Sequence, residues 1–275
     1  MKKKLLLIIL LLVVLVFLGV VFRSPTIKND IKTNNTEVII QNESLVVDGS
    51  YQVKTLNIDD PYVTFDVKYP YFNKADGNFN SSIENLLKGK IEDHKKTSRE
   101  YWQARYDTQE KGENFPIVPA TEADKLYFSS DIIIVQSNPF FISFVLKISG
   151  FSGGAHGYET NFSFNYDVEN QKVIKLSDIF PNDPQYLNYL SLGSRMYLEN
   201  KFAAEADANS DENSDPKALE EYAKNMISMV ESGTEPKEEN FSVFTFTPGK
   251  VKIYFAQYQV GPYVEGMPEV EMLME

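Results

Sequence analysis

The residues whose types and spacing could do chemistry lie between Gly150 and Tyr158. Gly150, Ser152 and Gly154 match the G-x-S-x-G pattern in which a sharp turn presents a nucleophilic serine. That turn needs a helix after the serine, then an acid and a histidine further along the chain. The residues after the serine instead alternate as a strand does, and His156 is the only downstream histidine. We therefore predict that Ser152 is not a catalytic nucleophile.

The two histidines of the chain, His94 and His156, raise the question of a metal site. Protein zinc sites use three or four ligands, and this chain has no cysteine and no H-E-x-x-H pair. His94 also lies at helical spacing from Leu87 and Ile91, which favours a packed or half-exposed position on a helix. The sequence therefore predicts no metal ion and no other cofactor.

The glycine-rich segment allows two interpretations. In the first, Gly153 and Gly154 turn the chain between two strands, and His156 hydrogen-bonds a backbone carbonyl. In the second, exposed backbone amides form a small anion-binding nest beside His156 and Tyr263, suited to a carboxylate of a peptide or glycan. No residue is predicted to be catalytic. The predicted ligand-binding residues are Gly153, Gly154, His156, Tyr158 and Tyr263.

The elements that must position this segment begin with a strand, strand, helix, strand, strand pattern. Residues 51–69 alternate around a central Asp-Asp-Pro, which predicts a hairpin. Ser81 and Glu84 form a predicted capping box for a helix that continues to Tyr106. Residues 126–148 then predict a second hairpin, so the first half is expected to form a compact α+β unit.

The second half repeats this style. Residues 161–175 predict another hairpin, and Asp183-Pro184 and Asp215-Pro216 each predict the start of a helix. The acidic segment 203–214 is predicted to be a loop between those helices, and Pro248-Gly249 marks a last hairpin. The predicted fold class is α+β, with two small domains of antiparallel sheets and packed helices that follow one N-terminal transmembrane helix.

The N-terminus predicts a membrane anchor. Lys2 to Lys4 precede an uncharged run, residues 5–22, which would span about 27 Å as a helix, close to the thickness of a bilayer core. We favour an uncleaved signal anchor, with a removed signal peptide as the alternative. The predicted organisation is a cytoplasmic stub (1–4), a transmembrane anchor (5–22), a polar linker (23–44), a first α+β domain (45–150) and a second (151–275).

The charge of the chain limits its partners. The net charge is −12, and much of the negative charge lies between Glu199 and Glu239. Such acidity argues against nucleic acid as a partner and favours a cationic one, although it also fits a solvated helical face. The absence of cysteine suits an extracytoplasmic protein that relies on its core rather than on disulfides.

Several short motifs fall in a fixed order along the chain. In the second half they are Gly153-Gly154-Ala155-His156, Lys175 to Phe180, Tyr254-Phe255 and Gly261-Pro262-Tyr263 with Gly266. In the first half they are Tyr69-Pro70 followed by Asn80 and Ile83. From about residue 51 to the C-terminus, this order resembles the extracytoplasmic domain pair shared by the anti-sigma factor RsiV and the peptidoglycan deacetylase PdaC.

The resemblance implies a membrane-anchored cell-envelope protein with an α+β fold, in a family that has a lysozyme-receptor member. Two differences limit it. The residues before Leu5 are too few for a sigma-binding segment, and we expect no catalytic deacetylase domain after Glu275. Val264-Glu265 also lies where smaller residues are expected, beside Tyr263.

The resulting prediction is a non-enzymatic, single-pass membrane protein whose bulk is extracytoplasmic, or a secreted one if the signal is cleaved. It is expected to bind a peptidoglycan fragment or a cationic secreted protein such as lysozyme. One alternative is a peptidoglycan-modifying enzyme that uses His156 with a nearby carboxylate. Another is a structural spacer of the envelope.

Overall fold

Two antiparallel-rich sheets and three helices make up the part of the protein that the computed structural model describes, residues 51–107, 119, 121–209 and 215–274. These residues belong to one compact unit, residues 43–275. The predicted α+β class is confirmed. The predicted stub, anchor and linker (1–4, 5–22 and 23–44) lie outside the described residues. Within the described ranges, no helix combines the length and apolar character needed to cross a membrane.

The first sheet has six strands in the order in which they occur along the chain. Neighbouring strands pair antiparallel except for the second and third, which are parallel because a long helix connects them. The hairpins predicted at residues 51–69, 126–148 and 161–175 are therefore confirmed. The strands are β1 (Tyr51–Leu56), β2 (Val63–Phe72), β3 (Leu126–Ser137), β4 (Phe141–Phe151), β5 (Tyr158–Asp167) and β6 (Lys172–Val173).

Helix α1 (Gly77–Asp107) crosses from β2 to β3 and covers one face of this sheet. Its buried side chains recur at helical spacing, and Ile83, Leu87 and Ile91 pack into a core with sheet residues such as Phe144. The capping box predicted at Ser81 and Glu84 is wrong. The helix begins at Gly77, and the Asp76 carboxylate just before it accepts a hydrogen bond from the Phe79 amide at 2.7 Å.

The second layer holds a three-stranded sheet in the order β7 (Phe244–Thr247), β8 (Lys250–Tyr254) and β9 (Glu269–Leu273). Helices α2 (Tyr186–Asn209) and α3 (Pro216–Gly233) pack with it, and Asp215 caps α3 as predicted. The loop predicted at 203–214 is wrong for its first half, since α2 continues to Asn209. Alanine at 203, 204, 206 and 208 has the highest helix propensity, which sustains the helix there.

Buried polar side chains of the first sheet bind the backbone of β7. Gln136 Nε2 donates to the Phe246 carbonyl at 2.7 Å, and Asn165 Nδ2 donates to the Phe244 carbonyl at 2.8 Å. The Ser143 hydroxyl accepts a hydrogen bond from the Phe246 amide at 3.1 Å. These contacts provide hydrogen-bond partners for backbone groups of β7, an edge strand whose carbonyl and amide groups would otherwise be buried and unpaired.

The domain boundary predicted between residues 150 and 151 falls where two paired strands meet. Strands β4 and β5 are hydrogen-bonded neighbours from Phe141 with Asp167 to Gly150 with Tyr158. The division into domains 45–150 and 151–275 stays a prediction. The predicted seam is thus, in the structure, the loop that joins two adjacent strands.

Candidate functional site

The loop of residues 152–157, between β4 and β5, has a packed side and an exposed side. Gly153 adopts a φ of +96°, and a Cβ atom built on it would lie 2.1 Å from the ring of Tyr101 on α1. Gly154 adopts a φ of +113° and faces open space. Glycine is therefore needed at both positions for backbone reasons and at Gly153 also for space. This agrees with the interpretation of the segment as a shaped turn.

His156 lies on the exposed side, where its ring is held by hydrogen bonds. Its Nδ1 donates to the Gly157 carbonyl at 2.9 Å, as the first interpretation predicted. Because that carbonyl can only accept, Nδ1 carries a proton, and Nε2 pairs with the Tyr258 hydroxyl at 3.2 Å. The Tyr263 hydroxyl donates to the same Gly157 carbonyl at 3.1 Å.

Three rings form an exposed aromatic surface, defined here as His156, Tyr258 and Tyr263. The His156 and Tyr263 ring centroids are 4.1 Å apart, and those of Tyr258 and Tyr263 are 5.8 Å apart. Tyr258 is 53% exposed and Tyr263 is 37% exposed. Aromatic groups held in one orientation and accessible to solvent are typical of recognition surfaces.

The segment that follows β8 carries two of these rings and is itself fixed to the first sheet. The Gln257 side chain accepts a hydrogen bond from the Glu159 amide at 3.2 Å. Tyr258 has a φ of +64°, a conformation that costs free energy in a residue other than glycine and is common at functional sites. Gln259 Nε2 donates to the Gly233 and Asn240 carbonyls, each at 3.0 Å. The aromatic surface is therefore preorganised.

On the packed side of the loop, Tyr158 contacts the other histidine. His94 is 3% exposed, and its Nδ1 lies 2.8 Å from the Tyr158 hydroxyl. Burial lowers the pKa of His94 to about 4 and raises the pKa of Tyr158 to about 12. Both groups are therefore neutral near pH 7, and the expectation that His94 is a packed helix residue is confirmed.

Between α1 and the start of β5 lies a cleft of about 230 Å³. Its floor includes the buried side chains of His94 and Ile148, and its walls carry hydroxyl and charged groups. We call it the helix cleft. The lining residues are Lys90, Asp93, His94, Thr97, Ile148, Ser152, Tyr158, Thr160 and Phe162.

The arrangement of Ser152 differs from that of a nucleophile elbow. It lines the helix cleft, yet a strand follows it and His94 bonds Tyr158 instead. His156 has a carbonyl and a phenol as its hydrogen-bond partners, so within the described ranges it forms no pair with a carboxylate. In the same part of the chain, no three acidic, histidine or cysteine side chains gather as a metal site.

The structure thus separates the five predicted ligand-binding residues. It brings His156 and Tyr263 together, leaves Gly154 exposed, and turns Gly153 and Tyr158 toward α1. Sequence reasoning missed Tyr258. The only sequence signal for it was its position in the same glycine- and proline-containing segment as Tyr263.

Comparisons with known proteins show which families and proteins the chain is similar to. Residues 56–159 match the family model described as deacetylase PdaC, and residues 177–274 match a model described as a protein of unknown function, DUF3298. The peptidoglycan-N-acetylmuramic acid deacetylase PdaC of Bacillus subtilis is 28% identical over 239 residues, which cover 86% of this chain and 41% of the relative. The predicted resemblance to the PdaC-type domain pair is confirmed. The likeness to RsiV stays a prediction.

Solved structures were found for two proteins that are similar to most of this chain. A DUF3298 family member from Bacteroides fragilis has a TM-score of 0.51 at 18% identity and covers 82% of this chain and 91% of its own. A DUF3298 family protein from Pseudomonas aeruginosa has a TM-score of 0.42 at 14% identity, with coverage of 81% and 90%. The Bacteroides fragilis structure supports the assignment of a DUF3298-like α+β fold.

The prediction that the chain is not an enzyme is wrong, because a relative that matches 86% of it is named as a deacetylase. The prediction rested on the serine and histidine chemistry of one loop, and that chemistry does not test for other reactions. The chain spans less than half the length of this curated relative. The activity of the whole relative therefore enters only as a proposal.

Proposed function

We propose that this protein binds the glycan of peptidoglycan through its aromatic surface. The observation that carries the proposal is the exposed, hydrogen-bonded group of His156, Tyr258 and Tyr263. Tyrosine rings offer a large apolar face to a sugar ring and a hydroxyl to its polar edge, with few torsions to immobilise. Similarity to a protein named for its action on peptidoglycan supports this choice of ligand.

Preorganisation favours binding at this surface. Since the three rings are already oriented by the Gly157 carbonyl and by one another, a ligand does not have to order them. The predicted anion nest belongs to the same proposal, because the exposed backbone at Gly154 lies in the same loop as His156. A carboxylate of a wall peptide would suit those amides.

Sedimentation with purified, insoluble peptidoglycan tests the proposal on the full-length chain. We expect the double variant Tyr258→Ala and Tyr263→Ala to lose at least about tenfold in affinity, since truncated central aromatic residues typically cost about 2 kcal/mol or more. The matched control is Phe140→Ala, which removes an exposed ring from the other end of β4. Equal binding by wild type and the double variant would remove the aromatic surface as the site.

We keep the extracytoplasmic, membrane-tethered location within the proposal, since peptidoglycan lies outside the cytoplasmic membrane. Lysozyme is the alternative protein partner, favoured by the net charge of −12. Salt separates the two ligands. Retention of lysozyme that disappears at high salt, with no retention of peptidoglycan, would favour the protein partner.

A second candidate function is deacetylation of N-acetylmuramic acid residues, favoured by the name of the Bacillus subtilis relative. Acetate release from purified peptidoglycan by the full-length chain tests it directly. Release above that of heat-denatured protein would support the activity. No release over several hours at high protein concentration would reject it for this chain and leave the binding proposal intact.

A further inference from the structure

We infer that the helix cleft is a second sugar site, which takes a single sugar that carries a carboxylate, such as N-acetylmuramic acid. The inference rests on the proposed function and adds a specificity to it. The aromatic surface binds glycan faces of any type, whereas the helix cleft selects the acidic sugar. The two sites lie on opposite sides of the loop 152–157.

Charge is the first argument. Lys90 and Asp93 lie on one face of α1 and both line the cleft, yet within the described ranges neither side chain forms an ion pair. The ammonium group of Lys90 lies 5.5 Å from the centroid of the Phe162 ring. An ammonium group over an aromatic wall is positioned to bind an anionic group of a ligand that packs on that wall.

Hydroxyl groups are the second argument. Thr97, Ser152 and Thr160 line the cleft from α1, the loop and β5. The Thr97 hydroxyl donates to the Asp93 backbone carbonyl at 3.1 Å, so its oxygen can still accept a hydrogen bond from a ligand. Together with the Asp93 carboxylate, they can bind the hydroxyl and amide groups of a sugar. A small set of convergent polar groups beside an apolar wall is the usual composition of such a site.

The buried histidine is the third argument. His94 forms part of the floor, and its Nδ1 fixes the Tyr158 hydroxyl at 2.8 Å. Its Nε2 is buried with no hydrogen-bond partner among the described residues. A buried polar atom without a partner costs free energy, so its presence calls for an explanation beyond packing. Tyr158 is therefore a positioned neutral hydroxyl in the wall of the cleft, able to bind a sugar oxygen.

Volume sets the ligand size. The cleft of about 230 Å³ is smaller than typical small-molecule pockets, which limits the bound part of the ligand to one sugar ring and excludes a folded peptide or a second ring. The carboxylate distinguishes an acidic sugar from its neutral counterpart. N-acetylmuramic acid and N-acetylglucosamine differ by one carboxylate-bearing group, so they form a matched pair of probes for Lys90.

Saturation-transfer NMR titrations of the full-length chain with each sugar test the inference. We expect N-acetylmuramic acid to bind about five- to tenfold more tightly than N-acetylglucosamine, the effect of one charge-assisted contact. Lys90→Gln should abolish this preference and Lys90→Arg should retain it. The control Lys96→Gln, on the same helix but outside the cleft, should leave it unchanged.

Equal binding of the two sugars by the wild type, no binding of either, or a preference that survives Lys90→Gln would each overturn the inference. Sedimentation of the Lys90→Gln variant with peptidoglycan distinguishes a failure of the helix-cleft inference from a failure of the proposed glycan binding at the aromatic surface. Loss of polymer binding only in the aromatic double variant leaves the glycan proposal standing without the helix cleft. Loss only in the Lys90 variant places recognition in the cleft instead.

Discussion

The two histidines of this protein lie on opposite sides of one loop and are held in opposite ways. His94 is buried against Phe65 and Phe128, and among the described residues only one of its ring nitrogens has a hydrogen-bond partner. His156 is exposed, and both of its ring nitrogens form hydrogen bonds. Packing fixes the first ring, and hydrogen bonds fix the second.

The difference shows what each side of the loop contributes. A buried ring that is held by close packing adds to stability, because its removal leaves a cavity. An exposed ring buries little surface, so its ordering by Gly157 and Tyr258 contributes little to stability. Under the proposed function, that ordering serves a ligand instead. Each of the following variants tests this contrast.

The largest expected effect is that of His94→Ala on stability. It removes a buried ring and leaves the Tyr158 hydroxyl without its partner, which together cost about 2–4 kcal/mol in the free energy of unfolding. His156→Ala should change the free energy of unfolding by less than about 1 kcal/mol. Urea unfolding of both variants measures the contrast, and similar losses for the two would contradict it.

The next effect compares two adjacent glycines. Gly153→Ala combines a strained positive φ with a clash against Tyr101, so we expect a loss of about 2–3 kcal/mol. Gly154→Ala has the strain without the clash, and about 1–2 kcal/mol is expected. Thermal unfolding ranks the two variants. A larger loss of stability for Gly154→Ala than for Gly153→Ala would contradict the account that the loop is constrained on the side that packs against α1.

The third effect is the pH dependence of stability from His94. Because burial lowers its pKa from 6.5 to about 4, the unfolded state binds a proton in that range and the folded state does not. Stability is therefore complete above pH 6.5 and falls as the pH drops toward 4. His94→Gln should reduce the slope of unfolding free energy against pH in this window, whereas His156→Gln should retain it.

Much of the fold follows from local sequence signals. The Asp-Asp-Pro turn after β1, the Pro248-Gly249 turn and the Asp215-Pro216 cap each act within a few residues, and each predicted element formed. The parallel pairing of β2 with β3 and the binding of β7 by Asn165 could not be predicted, because they join residues far apart in the chain.

The candidate site could likewise be predicted only in part, because some of its contacts join residues far apart in the chain. The anion-nest interpretation placed His156 and Tyr263 near each other, and the turn interpretation gave the hydrogen bond of His156 to a carbonyl. Tyr158 begins β5, so the alternation of side chains along the strand decides which face it takes. That face could be assigned only from the position of α1 over the sheet. The same position of α1 creates the helix cleft.

Affinity for soluble peptidoglycan fragments, measured on the full-length chain with His156→Ala, tests the central claim most directly. The variant removes an exposed ring that orients Tyr258 and Tyr263. We therefore expect about five- to tenfold weaker binding, with a change of less than about 1 kcal/mol in the free energy of unfolding. Unchanged affinity, or a loss that appears only together with a loss of stability, would contradict the assignment of recognition to the exposed side of the loop.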